Sequence, residues 1–131
     1  MKIYNTQAEV DKDIVDGVLS ISGNVTFNFN LKMGADLIVE TGNIEAGDIK
    51  ARDIEAWNIK ARNIEAGNIK AGNIEAEDIK AGNIEARNIS FWSVAYARLS
   101  FSCKSITGRR DNSKYFCLDS EVVFSKEEEA V

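Results

Sequence analysis

The sequence predicts an all-β fold, a single β-solenoid, on three observations. Isoleucine returns at every fifth residue from Ile44 to Ile89, alanine follows it two places later from Ala46 to Ala86, and the residue between them alternates strictly between glutamate and lysine from Glu45 to Glu85. The isoleucines are Ile44, Ile49, Ile54, Ile59, Ile64, Ile69, Ile74, Ile79, Ile84 and Ile89, and each unit reads Ile-(Glu/Lys)-Ala-x-(Asn/Asp).

A period of five fits neither the helical repeat of 3.6 nor the strand repeat of 2. Five residues of α-helix advance about 500°, which would scatter the isoleucines around the whole cylinder. A short extended piece followed by a corner keeps them together, with Ile and Ala pointing inward and Glu or Lys outward. The two remaining positions suit a corner, because they end in Asn or Asp, which tolerate left-handed backbone and cap turns. Stacked coils of this kind form parallel strands about 4.8 Å apart, each covering its neighbour. Ten buried isoleucines would contribute on the order of 15–30 kcal/mol before chain entropy is subtracted. A single unit buries nothing, so the ends need caps.

The alternating charges bear on coil size. If four units close a coil, residues 20 apart stack and Glu45, Glu65 and Glu85 form a column of like charge. If three units close it, residues 15 apart stack, and Glu45-Lys60-Glu75, Lys50-Glu65-Lys80 and Glu55-Lys70-Glu85 become ladders of opposite charge. Opposed pairs on a sheet differ by a few tenths to about 1 kcal/mol according to sign, so a three-sided coil of 15 residues is favoured over a four-sided coil of 20.

The pairs Asn43-Ile44, Asp48-Ile49 and Asn63-Ile64 resemble the pentapeptide-repeat family, whose tandem units centre on a large apolar residue preceded by Asn or Asp. The resemblance covers residues 42–90. It implies a four-sided solenoid, and some family members are acidic rods that imitate DNA and bind type II topoisomerases. The chain departs from the family pattern two places before the isoleucine, where Arg52, Trp57, Arg62, Glu77 and Arg87 stand in place of a small residue. A three-sided solenoid is also similar in shape to the polymer-forming bactofilins.

The chain is read as one domain, residues 1–131. Residues 1–41 form an N-terminal cap and first coils, 42–90 the repeats, and 91–131 an aromatic-rich terminal coil and β-rich C-terminal cap. Thr6-Gln7-Ala8-Glu9 has the form of a capping box, and with Val10 and Ile14 predicts a short helix over 6–16. Alternation of Val25, Phe27, Phe29, Leu31 and Met33 with polar residues predicts a strand. After Ser90 the coil is expected to continue to about Ile106, followed by a charged turn over 108–114, strands at 115–118 and 121–124, and a frayed tail at 126–129.

Composition limits the function. Net charge is -5, which argues against direct nucleic-acid binding through phosphate neutralisation. No apolar run approaches the roughly 20 residues that span a bilayer, and no secretory leader is evident, so a cytoplasmic location is expected without membrane association. Histidine is absent, which removes Ser-His-Asp and Cys-His arrangements and imidazole metal sites. Cys103 and Cys117 form no CxxC pair and read as free thiols. Asp11, Asp13 and Asp16 lack the spacing and terminal glutamate of a calcium loop, and two sequons at Asn24 and Asn88 fall in predicted strands. Threonine occurs four times and is scattered, unlike the flat arrays of ice-binding solenoids.

Two groups of residues are candidates for contact. Phe91, Trp92, Tyr96 and Phe101 either close the core or present an aromatic patch for self-association. Arg109, Arg110 and Lys114 can hold an anion or an acidic partner, although the spacing is not that of a P-loop and a solvated turn is the plainer reading. A core filled by Ile and Ala leaves no pocket for convergent acid, base or nucleophile, so no enzyme activity, cofactor or metal is expected. The expectation is a non-catalytic scaffold or interaction protein, rod-like and dimeric through its C-terminal end. The alternatives are a DNA-mimicking inhibitor and a filament-forming solenoid. Mimicry is served poorly by residues 42–90, whose nine acids face seven bases.

Overall fold

The isoleucines stack in parallel, residue on residue: Ile44 opposite Ile59 opposite Ile74, Ile49 opposite Ile64, and Ile54 opposite Ile69. The computed structural model describes residues 2–124 and forms a β-solenoid of about six turns. Across the repeats, stacked partners are 15 residues apart, so three units close one coil. The four-sided coil implied by the family resemblance is not the one formed. The charge ladders run in the expected register, with Glu45 opposite Lys60, Lys60 opposite Glu75, Lys50 opposite Glu65, and Glu55 opposite Lys70.

The elements in order are β1 (Lys2–Tyr4), α1 (Gln7–Asp13), β2 (Val18–Ser22), β3 (Val25–Phe27), β4 (Leu31–Lys32), β5 (Asp36–Glu40), β6 (Asn43–Glu45), β7 (Asp48–Lys60), β8 (Asn63–Cys103), β9 (Ser105–Gly108), β10 (Lys114–Cys117) and β11 (Val122–Phe124). The long elements β7 and β8 turn several corners without losing their ladders. Three walls result. The first runs from β1 through β3, β6 and the strand over 58–60 to β9. The second runs from β4 through the strands over 48–50 and 63–65 to β10, and the third from β2 through β5 to β11.

All ten repeat isoleucines are at most 2% exposed, and Ala51, Ala56, Ala61, Ala76, Ala81 and Ala86 are buried beside them. A small alanine is what lets the chain bend toward the next wall without crowding the axis. At the corners the asparagines bond to one another from coil to coil. Asn58 Nδ2 donates to Asn43 Oδ1 at 2.8 Å, Asn73 to Asn58 at 2.8 Å, Asn88 to Asn73 at 2.9 Å, and the Ser105 hydroxyl to Asn88 at 2.7 Å. Every bond points back toward the N-terminus. The residue that starts a column has only to accept, and aspartate serves there in two of the three: Asp48 accepts from Asn63 at 3.0 Å and Asp53 from Asn68 at 2.9 Å, while Asn43 starts the other. The residue that ends a column only donates, and serine suffices.

The flanks widen the coil. Stacked residues are 18 apart between Val18 and Asp36 and 19 apart between Val25 and Ile44. Gly42 lies so close to the coil before it that a Cβ there would run into the Gly23 carbonyl. The N-terminal helix forms with both halves of its capping box, Thr6 Oγ1 accepting from the Glu9 N–H and Glu9 accepting from the Thr6 N–H. It spans Gln7–Asp13, shorter than the predicted 6–16, because the backbone is already extended at Ile14. The strand predicted from Val25 to Met33 is two strands, β3 and β4, since the Asn28–Asn30 stretch turns the chain from the first wall to the second. The predicted C-terminal strands form as β10 and β11. The tail at 126–129 lies outside the described residues.

Candidate interaction surface

The two ends of the solenoid are finished differently. At the N-terminal end α1 lies against the first coil, with Val10 fully buried and the inward Tyr4 only 3% exposed. The Tyr4 hydroxyl donates to Asp13 at 2.7 Å, and burial, reinforced by that carboxylate, raises its pKa strongly. At the C-terminal end, inward positions of the last described coil are exposed. Tyr115 stacks over Ala95 and Phe124 over Cys103, both of which are completely buried, yet Tyr115 is 41% and Phe124 50% exposed. Their rings meet edge to face at 6.3 Å, and Tyr115 packs likewise on Phe91 and Phe101. Outside them Phe116, Leu118 and Val123 are exposed as well.

Of the aromatics named as contact candidates, Phe91 and Phe101 are core residues, each 1% exposed, and are corrected from that role. Both occupy inward strand positions, so they fill the axis where the coil widens past the repeats. Tyr96 is half-buried and its ring lies 4.9 Å from Phe116, which stacks on it from the last coil. Trp92 is exposed at a corner, with the Arg109 guanidinium 6.0 Å above its ring. The aromatics that are open among the described residues, Tyr115, Phe116 and Phe124, fall in strands that the sequence located without showing their exposure.

The basic loop after β9 is held against the wall. Arg109 Nε donates to the Ser90 hydroxyl at 2.8 Å and Arg110 Nη1 to the Ser93 hydroxyl at 3.2 Å. The Ser113 hydroxyl accepts from the Arg110 N–H and donates to the Trp92 carbonyl, which fixes the loop's far side. Lys114 opens β10 and is exposed. Ser90 stands where the Glu/Lys alternation calls for lysine, and Arg109 reaches back to that place from the coil beyond. By contrast the corner arginines Arg52 and Arg62 face carboxylates, Asp36 at 2.9 Å and Asp48 at 3.1 Å. Those hydrogen bonds hold both carboxyls below the usual aspartate range.

Among the described residues no group of three or more His, Cys, Asp or Glu side chains is placed to hold a metal, and no helix is long and apolar enough to cross a membrane. Cys103 and Cys117 are both free thiols, and burial pushes the Cys103 thiol up to about 11. No family model, curated protein or solved structure matches the chain.

Proposed function

We propose that the protein is a non-catalytic scaffold, a short solenoid rod that associates with a second copy through its C-terminal end. The observation that carries this reading is the pair Tyr115 and Phe124, inward-facing side chains of the last coil left 41% and 50% exposed while the same stacks one coil below are sealed. Burying such a patch against its own copy restores the packing that every other coil enjoys. The capped N-terminal end supports a closed pair over a filament, because head-to-tail growth needs two ends that match and α1 stands on one of them. The charge ladders weigh against DNA mimicry, since each wall alternates in sign and presents no continuous acidic face.

The reading includes a reducing, cytoplasmic setting, supported by the two unpaired thiols. Kinship with pentapeptide-repeat proteins is part of it too, resting on the Asn-Ile and Asp-Ile pairs, with the three-unit coil as this chain's departure. Sedimentation equilibrium across a wide concentration range tests the self-association. A dimer mass is expected, weakened by Phe124→Asp, and a strictly monomeric mass at high concentration refutes it.

A further inference from the structure

We infer that the outer face of the second wall is a docking strip for an acidic segment of a partner protein that carries aromatic or aliphatic side chains, separate from the end assigned above to self-association. The sign of each wall follows from the repeat. Glutamate and lysine alternate from unit to unit and three units close a coil, so the first and third walls read Glu-Lys-Glu, as Glu45-Lys60-Glu75 and Glu55-Lys70-Glu85. The second wall alone reads Lys-Glu-Lys, as Lys50-Glu65-Lys80.

Both ends of that wall depart from the alternation in ways that its own packing does not reward. Below the repeats Lys32 stands directly opposite Lys50, a like-charge pair that costs stability on a sheet. Above Lys80 the place of the next glutamate is taken by Tyr96, with Phe116 opposite it one coil on and the two rings 4.9 Å apart. Beside these rings Val94 and Leu118 are 37% and 62% exposed, Lys114 lies opposite Val94, and Arg98 is exposed at the far edge. At the same level the first wall presents Ser90 and Thr107, and the third Ser102 and Val123. Only the second wall joins a row of bases to a pair of exposed rings.

The strip fits one kind of occupant. Lys32, Lys50, Lys80, Arg98 and Lys114 make no side-chain ion pair among the described residues, and Glu65 is the single carboxylate in their column. Asp78, on the edge, is held by the Val94 N–H. From Lys32 to Phe116 the column spans five strand spacings, about 24 Å, the length of about seven extended residues or about sixteen helical ones. The carboxylates of such a segment meet the lysines, and its apolar side chains pack on Phe116 and Leu118. A bilayer or a nucleic acid fits less well. The chain carries a net charge of -5, and the walls on both sides show two glutamates to one lysine, so a broad polyanion is repelled outside the strip.

The test measures binding of a fluorescein-labelled random copolymer of glutamate and tyrosine to the full chain by fluorescence anisotropy, with polyglutamate of the same length as the probe without rings. The copolymer is expected to bind about ten-fold more tightly than polyglutamate. Lys50→Gln with Lys80→Gln is expected to weaken it about ten-fold, whereas Lys60→Gln with Lys70→Gln, the same change of charge on the other two walls, is expected to weaken it by less than about two-fold. Phe116→Ser is expected to remove the advantage of the copolymer over polyglutamate, and circular dichroism shows whether each variant keeps the fold. Equal losses in the two lysine pairs, or a copolymer that binds no better than polyglutamate, overturn the strip. Tighter, Lys50- and Lys80-dependent binding to phosphatidylserine vesicles overturns it in favour of a lipid surface. A lowered dimer mass of the Lys50→Gln, Lys80→Gln variant in sedimentation equilibrium overturns it in favour of a contact between copies. A monomeric wild-type chain that still binds the copolymer in this pattern removes the proposed self-association and supports the strip.

Discussion

One coil beyond Asn63, where the other asparagine columns place a further amide, stands Asp78, and the Asn63 Oδ1 is left buried without a donor. Asn63 Nδ2 is engaged with Asp48 at 3.0 Å, so the side chain cannot turn over without breaking the bond it has. A carboxylate has no N–H to give. Asp78 is the place where the backward-pointing ladder fails in mid-column, its Oδ1 accepting instead from the Val94 N–H at 3.2 Å.

Asp78→Asn supplies the missing donor and keeps an oxygen for Val94. The expected outcome is a gain of about 1 kcal/mol, the usual worth of satisfying one buried polar atom. Urea denaturation of the variant beside the wild type measures it. An unchanged or lowered midpoint would show that water already serves Asn63.

Asn73 lies in the middle of an intact column, donating to Asn58 and accepting from Asn88. Asn73→Ala removes both bonds and is expected to cost about 1–2 kcal/mol, the exposure of the corner tempering the loss. Asn73→Asp keeps the acceptor and loses only the donor, so it is expected to cost less than alanine at neutral pH. Thermal unfolding of the two variants gives the order. Equal losses would mean that the direction of the ladder carries no energy.

The ion pairs Arg52–Asp36 and Arg62–Asp48 make stability depend on acid. Hydrogen bonds from the arginines lower the pKa of both carboxyls in the folded chain. Their contribution is therefore complete above the unfolded aspartate value, about 3.9, and is lost as pH falls through the folded values. Stability should decline modestly below about pH 4, because the arginines are exposed and the carboxylates only half-buried. In the double variant Arg52→Gln, Arg62→Gln that decline should be shallower, measured by urea midpoints from pH 7 to pH 2. An identical slope in both proteins would remove these pairs from the acid response.

The repeats were the legible part of this sequence because each position has one physical duty. Ile44 through Ile89 fill the axis, and the sign of Glu45, Lys60 and Glu75 decides the coil size, since only one stacking distance sets opposite charges together. The capping box at Thr6 and Glu9 was equally plain. The flanks were less so, because their coils take 17 or more residues and no period marks the corners. Val25 to Met33 alternates like one strand, and nothing local announces that Asn28–Asn30 is a corner. For the same reason Phe91 and Phe101 did not declare themselves as core, nor Tyr115 and Phe124 as uncovered. Inward and outward follow from the register of the coil, which no single segment carries.

The three-unit coil is tested most directly by disulfide trapping between strands. In a Cys117→Ser background, with Cys103 buried and its thiol pushed up to about 11, Glu55→Cys and Lys70→Cys sit on neighbouring strands. Their separation of about 4.8 Å is within disulfide reach. That pair, 15 residues apart, is expected to close on mild oxidation, while Glu55→Cys with Glu75→Cys, 20 residues apart, is expected to stay reduced. Closure of the second pair and not the first would show a four-sided coil and contradict the stacking on which the isoleucine columns and the charge ladders both depend.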